Sequence, residues 1–147
     1  MIVVGVAKEL PDSPWMRRLS PPAASYPSFV PWLVSTGPYD IGLSPLVDSA
    51  FNRCKSDIKC LDYLALGALP LVSDVEPYQP VDIAHHIVKV ADRPDAWFEA
   101  IEHEIVHRAE RRREAAERRQ ASDVYLRSER SVEIAAKVLS ARLRALR

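Results

Sequence analysis

The amino-acid sequence predicts an α/β fold, a parallel sheet followed by two long C-terminal helices, and three observations lead there. Short apolar runs at residues 2–6, 40–44 and 69–73 have the length of buried strands rather than of helices. Between the last two lies a segment with helical spacing. Strand, helix, strand at these separations is a βαβ unit with parallel strands and a right-handed crossover. All 12 prolines and all 4 glycines fall within residues 1–94, so residues 95–147 contain no helix breaker. The chain therefore reads as an α/β core over 1–94 and a helical extension over 95–147 that packs on the same domain.

Taken in order, Ile2 to Val6 is a β-branched strand. Six prolines between Pro11 and Pro31 make that stretch an extended connector, with room for a helical turn around Ser28–Ser35. Asp40-Ile41-Gly42-Leu43-Ser44 is a second strand, stopped by Pro45, and residues 46–55 form a polar loop. From Ser56 onward, Ile58, Leu61, Leu64 and Ala65 share a helical face, and Gly67 supplies the stop. Leu69 to Ser73 is a further buried strand and Ile87 to Val90 a weaker one. Residues 95–119 and 122–145 then form the long helices. On the second, Ile134, Ala135, Val138, Leu139, Arg142, Leu143 and Leu146 make a core-facing stripe.

Composition narrows the function. Lys and Arg number 20 and Asp and Glu 20, so the basic excess expected of a nucleic-acid binder is missing. At 147 residues the chain suits one domain and can bury roughly two-thirds of its unfolded surface. No basic segment precedes the apolar run at Ile2, and no apolar stretch is long enough to span a bilayer. Cys54 and Cys60 have neither redox-pair nor zinc-ribbon spacing, so reduced thiols and a cytoplasmic location are the simplest reading. A strand directly after Met1 reads as a chain that starts partway through a larger architecture.

The start of the helix at Ser56 carries the chemistry. Ser56 or Asp57 can cap it, and the free amides of a first turn attract anions. Lys55 and Lys59 stand one turn apart and can flank the same anion. Cations beside a positive dipole end are unfavourable by up to about 1 kcal/mol, a cost that a bound phosphate reverses. Asp62, three residues after Lys59, can accept hydrogen bonds from the vicinal hydroxyls of a ribose. The position lies beyond the carboxyl end of the 40–44 strand, where open α/β sheets bind ligands. The simpler alternative is a capped surface helix in which Lys59 and Asp62 pair.

These residues carry a resemblance. Asp40-Ile41-Gly42-Leu43-Ser44-Pro45-Leu46, Phe51-Asn52, Lys55-Ser56, Lys59, Leu61-Asp62-Tyr63, Ala65-Leu66-Gly67, Pro70 and Ser73-Asp74 to Pro77-Tyr78 resemble the donor-binding half of group 1 nucleotide-sugar glycosyltransferases of GT-B architecture. The likeness is dense over residues 40–78. It implies a Rossmann-like, partial donor domain that binds a nucleotide-diphosphate sugar for transfer to a hydroxyl acceptor, in polysaccharide or glycoconjugate synthesis. It also implies Asp62 on the ribose, Lys55, Ser56 and Lys59 near the diphosphate, and Asn52 and Tyr78 in the pocket, with no metal or other cofactor. The family's acidic partner eight residues before the ribose acid falls on Cys54, and Asp48 is only a loose substitute. The first βαβ unit and the acceptor-binding half would precede Met1, so a missing half or another chain is the implied partner, and the chain alone is expected to be inactive.

Two features lie outside that pattern. His103-Glu104-Ile105-Val106-His107 matches the HExxH signature of zinc hydrolases, with His103 and His107 as ligands, Glu104 as base and Glu129 or Glu133 as third ligand. Taking Trp97, Phe98, Ile101 and Ile105 as the apolar face, the two histidines fall roughly 180–220° from its centre, on the solvent side. His85-His86 reads as a loop-to-strand pair. Arg108 to Arg119 carries six arginines and three glutamates, read as a solvated face or as a weak peripheral contact with anionic membrane. No large apolar side chain interleaves it, which argues against insertion.

Overall fold

Residues 1–4, 13–22, 26–79, 81 and 86–128 are described by the computed structural model. The chain is α/β and parts into two units between Pro38 and Tyr39. In the first, β1 (Ile2–Val4) pairs in parallel with β2 (Arg17–Leu19), Ile2 opposite Arg17 and Val4 opposite Leu19. β2 lies inside the expected connector, in the interval between Pro14 and Pro21 where no proline removes a ladder amide. α1 (Tyr26–Ser35) is longer than the expected turn. Pro27 sits in its first turn, where an amide has no intrahelical partner. The hydroxyls of Ser35 and Thr36 donate to the carbonyls of Trp32 and Leu33 at the other end, at 2.7 and 2.8 Å.

The second unit holds a parallel sheet of β3 (Ile41–Ser44), β4 (Leu69–Ser73) and β5 (Val88–Val90), in that spatial order. Its helices are α2 (Ala50–Arg53), α3 (Ile58–Leu66), a 3-10 turn at Glu76–Tyr78, α4 (Pro94–Val106), α5 (Arg108–Arg113) and α6 (Ala115–Ser128). β4 is central and buried along its whole length, as a strand covered on both faces must be. Leu69 and Leu71, with Val90, meet Ala96, Trp97, Ala100 and Ile101 of α4. Val72 joins Cys60, Leu61 and Leu64 of α3 with Val75, Tyr78 and Val81, and Ala121 of α6 borders this second cluster.

A proline in a central strand needs an explanation, because it cannot donate to the ladder. The amide of Leu69 donates to Asp40 on the β3 side, and that of Asp74 to Val90 on the β5 side. Even-numbered residues of β4 therefore turn their amides toward β5. Pairing with β5 begins only at Leu71 opposite Val88, so the missing amide of Pro70 falls where no partner strand yet runs.

α3 ends as the sequence predicts. Gly67 takes the left-handed conformation at φ 79°, its amide donates to Leu64, and the amide of Ala68 donates to Tyr63. This is a Schellman closure, which strongly favours glycine. The helical extension departs from expectation. Instead of one helix over 95–119, the chain breaks at His107 and Glu114, and α6 then runs without interruption through residues 119–122. Neither break contains Pro or Gly. At the second break the cause is Arg118, whose side chain is fully buried. Its guanidinium donates to the Gly67 carbonyl at 2.9 Å, to Glu114 Oε2 at 2.9 Å and to the main-chain oxygen of Arg111. A side chain that takes a backbone carbonyl out of the helical ladder bends the helix there.

The arginine run is therefore no uniformly solvated face. Arg111 is largely buried between Glu104 and Glu114, and Arg112 pairs with Asp40, NH2 to Oδ2 at 3.0 Å. The inward face of α4 is also rotated from the expected one: Phe98 and Ile105 are exposed, while Glu104 is buried facing Arg111. The predicted stripe over 134–146 lies outside the described residues. No helix among the described residues is long and apolar enough to cross a membrane.

Replacing Arg118 by Met should cost about 3 kcal/mol, because it orphans the carbonyls of Gly67 and Arg111 and leaves Glu114 without one of its cations. Urea unfolding followed by circular dichroism reads this directly, and an unchanged midpoint would refute the role given to this side chain.

Candidate functional site

The carboxyl end of β3 is pinned by three hydroxyls from other elements. Tyr63 donates to the Leu43 carbonyl at 2.8 Å, Ser73 Oγ accepts from the amide of Leu46 at 2.7 Å, and Ser44 Oγ and the Tyr78 hydroxyl share a hydrogen bond at 2.7 Å. The Tyr63 ring lies directly over Gly42, where any Cβ would collide with it. A glycine inside a strand marks such an approach, and that was the available signal for Tyr63. Tyr78, predicted in the pocket, is buried and its hydroxyl serves Ser44.

From this end the chain enters α2, which lies within the predicted polar loop. Ser49 caps it by accepting from the amide of Asn52 at 3.2 Å, and the Asn52 side chain donates to the Val47 carbonyl at 2.8 Å. Asn52 thus organises the loop below the candidate site. Asp48 forms a two-pronged ion pair with Arg53, Nε to Oδ1 at 2.7 Å and NH2 to Oδ2 at 2.8 Å. The Arg53 hydrogen bond holds the Asp48 carboxyl below its usual range. Neither Cys54 nor Cys60 is in a disulfide; the first is exposed and the second buried.

Lys55, Ser56 and Lys59 are exposed around the start of α3. Lys55 Nζ sits 5.3 Å from the centre of the Phe51 ring, a cation–π contact on an aromatic side chain that is itself 76% exposed. Lys59 Nζ meets Asp62 Oδ2 at 3.4 Å, with the lysine outside and the aspartate mostly covered. Asp57 occupies the N-cap position but makes no side-chain cap bond, contrary to the expected capping. The fold therefore brings Lys55, Ser56, Lys59 and Asp62 to one solvent-facing helix start, while Asn52 and Tyr78 hold the scaffold under it. This arrangement can bind an anion next to a hydroxyl-bearing group.

Comparison with protein-family models, curated proteins and solved structures finds no match. None of these comparisons identifies a glycosyltransferase family.

The HExxH segment is built differently from a hydrolase centre. Glu104 is buried, with Oε2 on Arg111 Nε and Oε1 3.1 Å from His103 Nδ1. A carboxylate committed to a guanidinium is a poor general base. Among the described residues no three of His, Cys, Asp and Glu form a metal-holding group. Glu129 and Glu133, the candidate third ligands, lie outside the described residues, as does His85.

Burial, with smaller contributions from Tyr78 and Asp62, pushes the Tyr63 phenol up from 10.0 to about 12. Folding therefore favours the neutral phenol. The associated stability is fully present below pH 10 and is lost as pH rises toward 12, on the order of 2–3 kcal/mol. Spectrophotometric titration should find a late-ionising tyrosine that disappears in Tyr63→Phe. The same variant should flatten the alkaline fall in stability between those two pH values.

Proposed function

We propose that the second unit binds the nucleoside-diphosphate part of a sugar donor, as part of a glycosyltransferase that passes the sugar to a hydroxyl acceptor. The observation that carries this reading is the group at the start of α3. Two ammonium groups, Lys55 and Lys59, and the Ser56 hydroxyl are left facing solvent beyond the carboxyl end of a parallel sheet. Open α/β sheets bind ligands at that end, and helix starts attract phosphate. Lys55 and Lys59 would meet the diphosphate, and Asp62, released from Lys59, would accept from the ribose hydroxyls. The parallel β3–α3–β4 arrangement supports a Rossmann-like domain. The chain supplies binding groups for the donor in this reading, and an acceptor-binding half would complete the enzyme.

Calorimetric titration with uridine, guanosine, adenosine and thymidine diphosphates tests the proposal. One of them should bind saturably, and Lys59→Ala and Asp62→Ala should each weaken it about tenfold, the loss of one charge-assisted hydrogen bond. Uniform failure to bind, or equal affinity in the variants, would sink the assignment.

A further inference from the structure

The two histidines of the HExxH segment stand apart from the proposed nucleotide site and have a geometry of their own. His107 Nδ1 lies 2.7 Å from the main-chain oxygen of His103, and His103 Nδ1 lies 3.1 Å from Glu104 Oε1. A carbonyl oxygen and an ionised carboxylate only accept, so both Nδ1 atoms are the donors. In each neutral ring this leaves the lone pair on Nε2. Histidines that ligate metals are prepared in this way, the second ring nitrogen held by a carboxylate or a main-chain carbonyl.

The pair is also close enough to act together. The ring centres are 4.2 Å apart and the planes meet at 31°. Two nitrogens bound to one zinc at about 2.0–2.1 Å span up to about 4 Å, a separation comparable to that of the two ring centres. The amide of His107 still donates to His103 at 3.2 Å, which keeps the i, i+4 relation although α4 has ended. The His103 side chain is 59% exposed, leaving room for water on the remaining coordination positions.

We infer that His103 and His107 form a two-histidine surface site for a divalent transition cation, Zn2+, Ni2+ or Cu2+, held through both Nε2 atoms. Glu104 is a positioning residue there: one carboxylate oxygen orients His103, and the other is anchored by Arg111. Imidazole pairs favour Cu2+ over Ni2+ and Zn2+, and they discriminate against Mg2+, which prefers oxygen ligands.

Titration of the full chain with Ni2+, Zn2+ and Mg2+, followed by calorimetry, tests the site. The expected result is one equivalent of Ni2+ or Zn2+, reversed by a chelator, and no Mg2+ binding. His103→Ala and His107→Ala should each weaken binding by more than about tenfold, since losing a ligand exceeds the loss of an outer partner. A His85→Ala/His86→Ala double variant should bind as the parent does. Absence of saturable binding, affinity that survives His103→Ala, or loss confined to the His85/His86 variant would overturn the site. Circular dichroism of each variant separates loss of a ligand from loss of fold, and the exposed His103→Asn provides a second replacement.

Discussion

One buried guanidinium organises the helical half of the second unit. The last carbonyls of any helix lack intrahelical donors, and the left-handed turn at Gly67 closes only part of that deficit in α3. Arg118 supplies a donor to the Gly67 carbonyl, and its positive charge stands at the negative end of the α3 dipole. Burial lowers its pKa, and the Glu114 carboxylate offsets part of that desolvation. The same glutamate holds Arg111, and Arg111 holds Glu104, so the charges form a chain from α3 to α4. Removing any one member strands the next, which is why such a network specifies an arrangement more than it adds stability.

The sheet provides the second constraint. β4 is apolar on both faces because α4 covers one and α3 with α6 the other. At its carboxyl end the polar atoms of Tyr63, Ser73, Ser44 and Tyr78 are bound to one another, to the Leu43 carbonyl of β3 or to the Leu46 amide just beyond it. Beyond them the exposed polar groups include Lys55, Ser56 and Lys59 at the start of α3, alongside the Asp48–Arg53 pair, Asp74 and Gln79. A rigid platform under a small set of exposed charged groups is the geometry a binding site needs.

The helix that carries the candidate site was legible in the sequence, and the Lys59–Asp62 pair appears as the i, i+3 rule allows. The expected start at Ser56 falls instead at Ile58, so Lys55 and Ser56 precede the helix rather than share its spacing. Asn52 and Tyr78 were legible as polar residues near the site but not as parts of its scaffold. Their partners, the Val47 carbonyl and Ser44, are chosen by loop and strand geometry that residue type does not encode. The short helix α2 is not legible in the sequence because its four residues carry no apolar periodicity. Its N-cap Ser49 was the signal present, and a lone serine is too common to mark a helix.

The sequence by itself determined the α/β class, the boundaries of β4, the end of α3 at Gly67 and the residues gathered at the start of that helix. All of these depend on contacts a few residues apart, on apolar period, or on the one residue type that tolerates a positive φ. Tertiary structure alone decided which arginines of residues 108–119 are inside. It also decided where the long helix breaks and which face of α4 meets the sheet. The buried arginines depend on partners far away in the chain, as Arg118 does on a carbonyl 51 residues distant, and the face of α4 depends on the sheet residues it meets; no local spacing contains either.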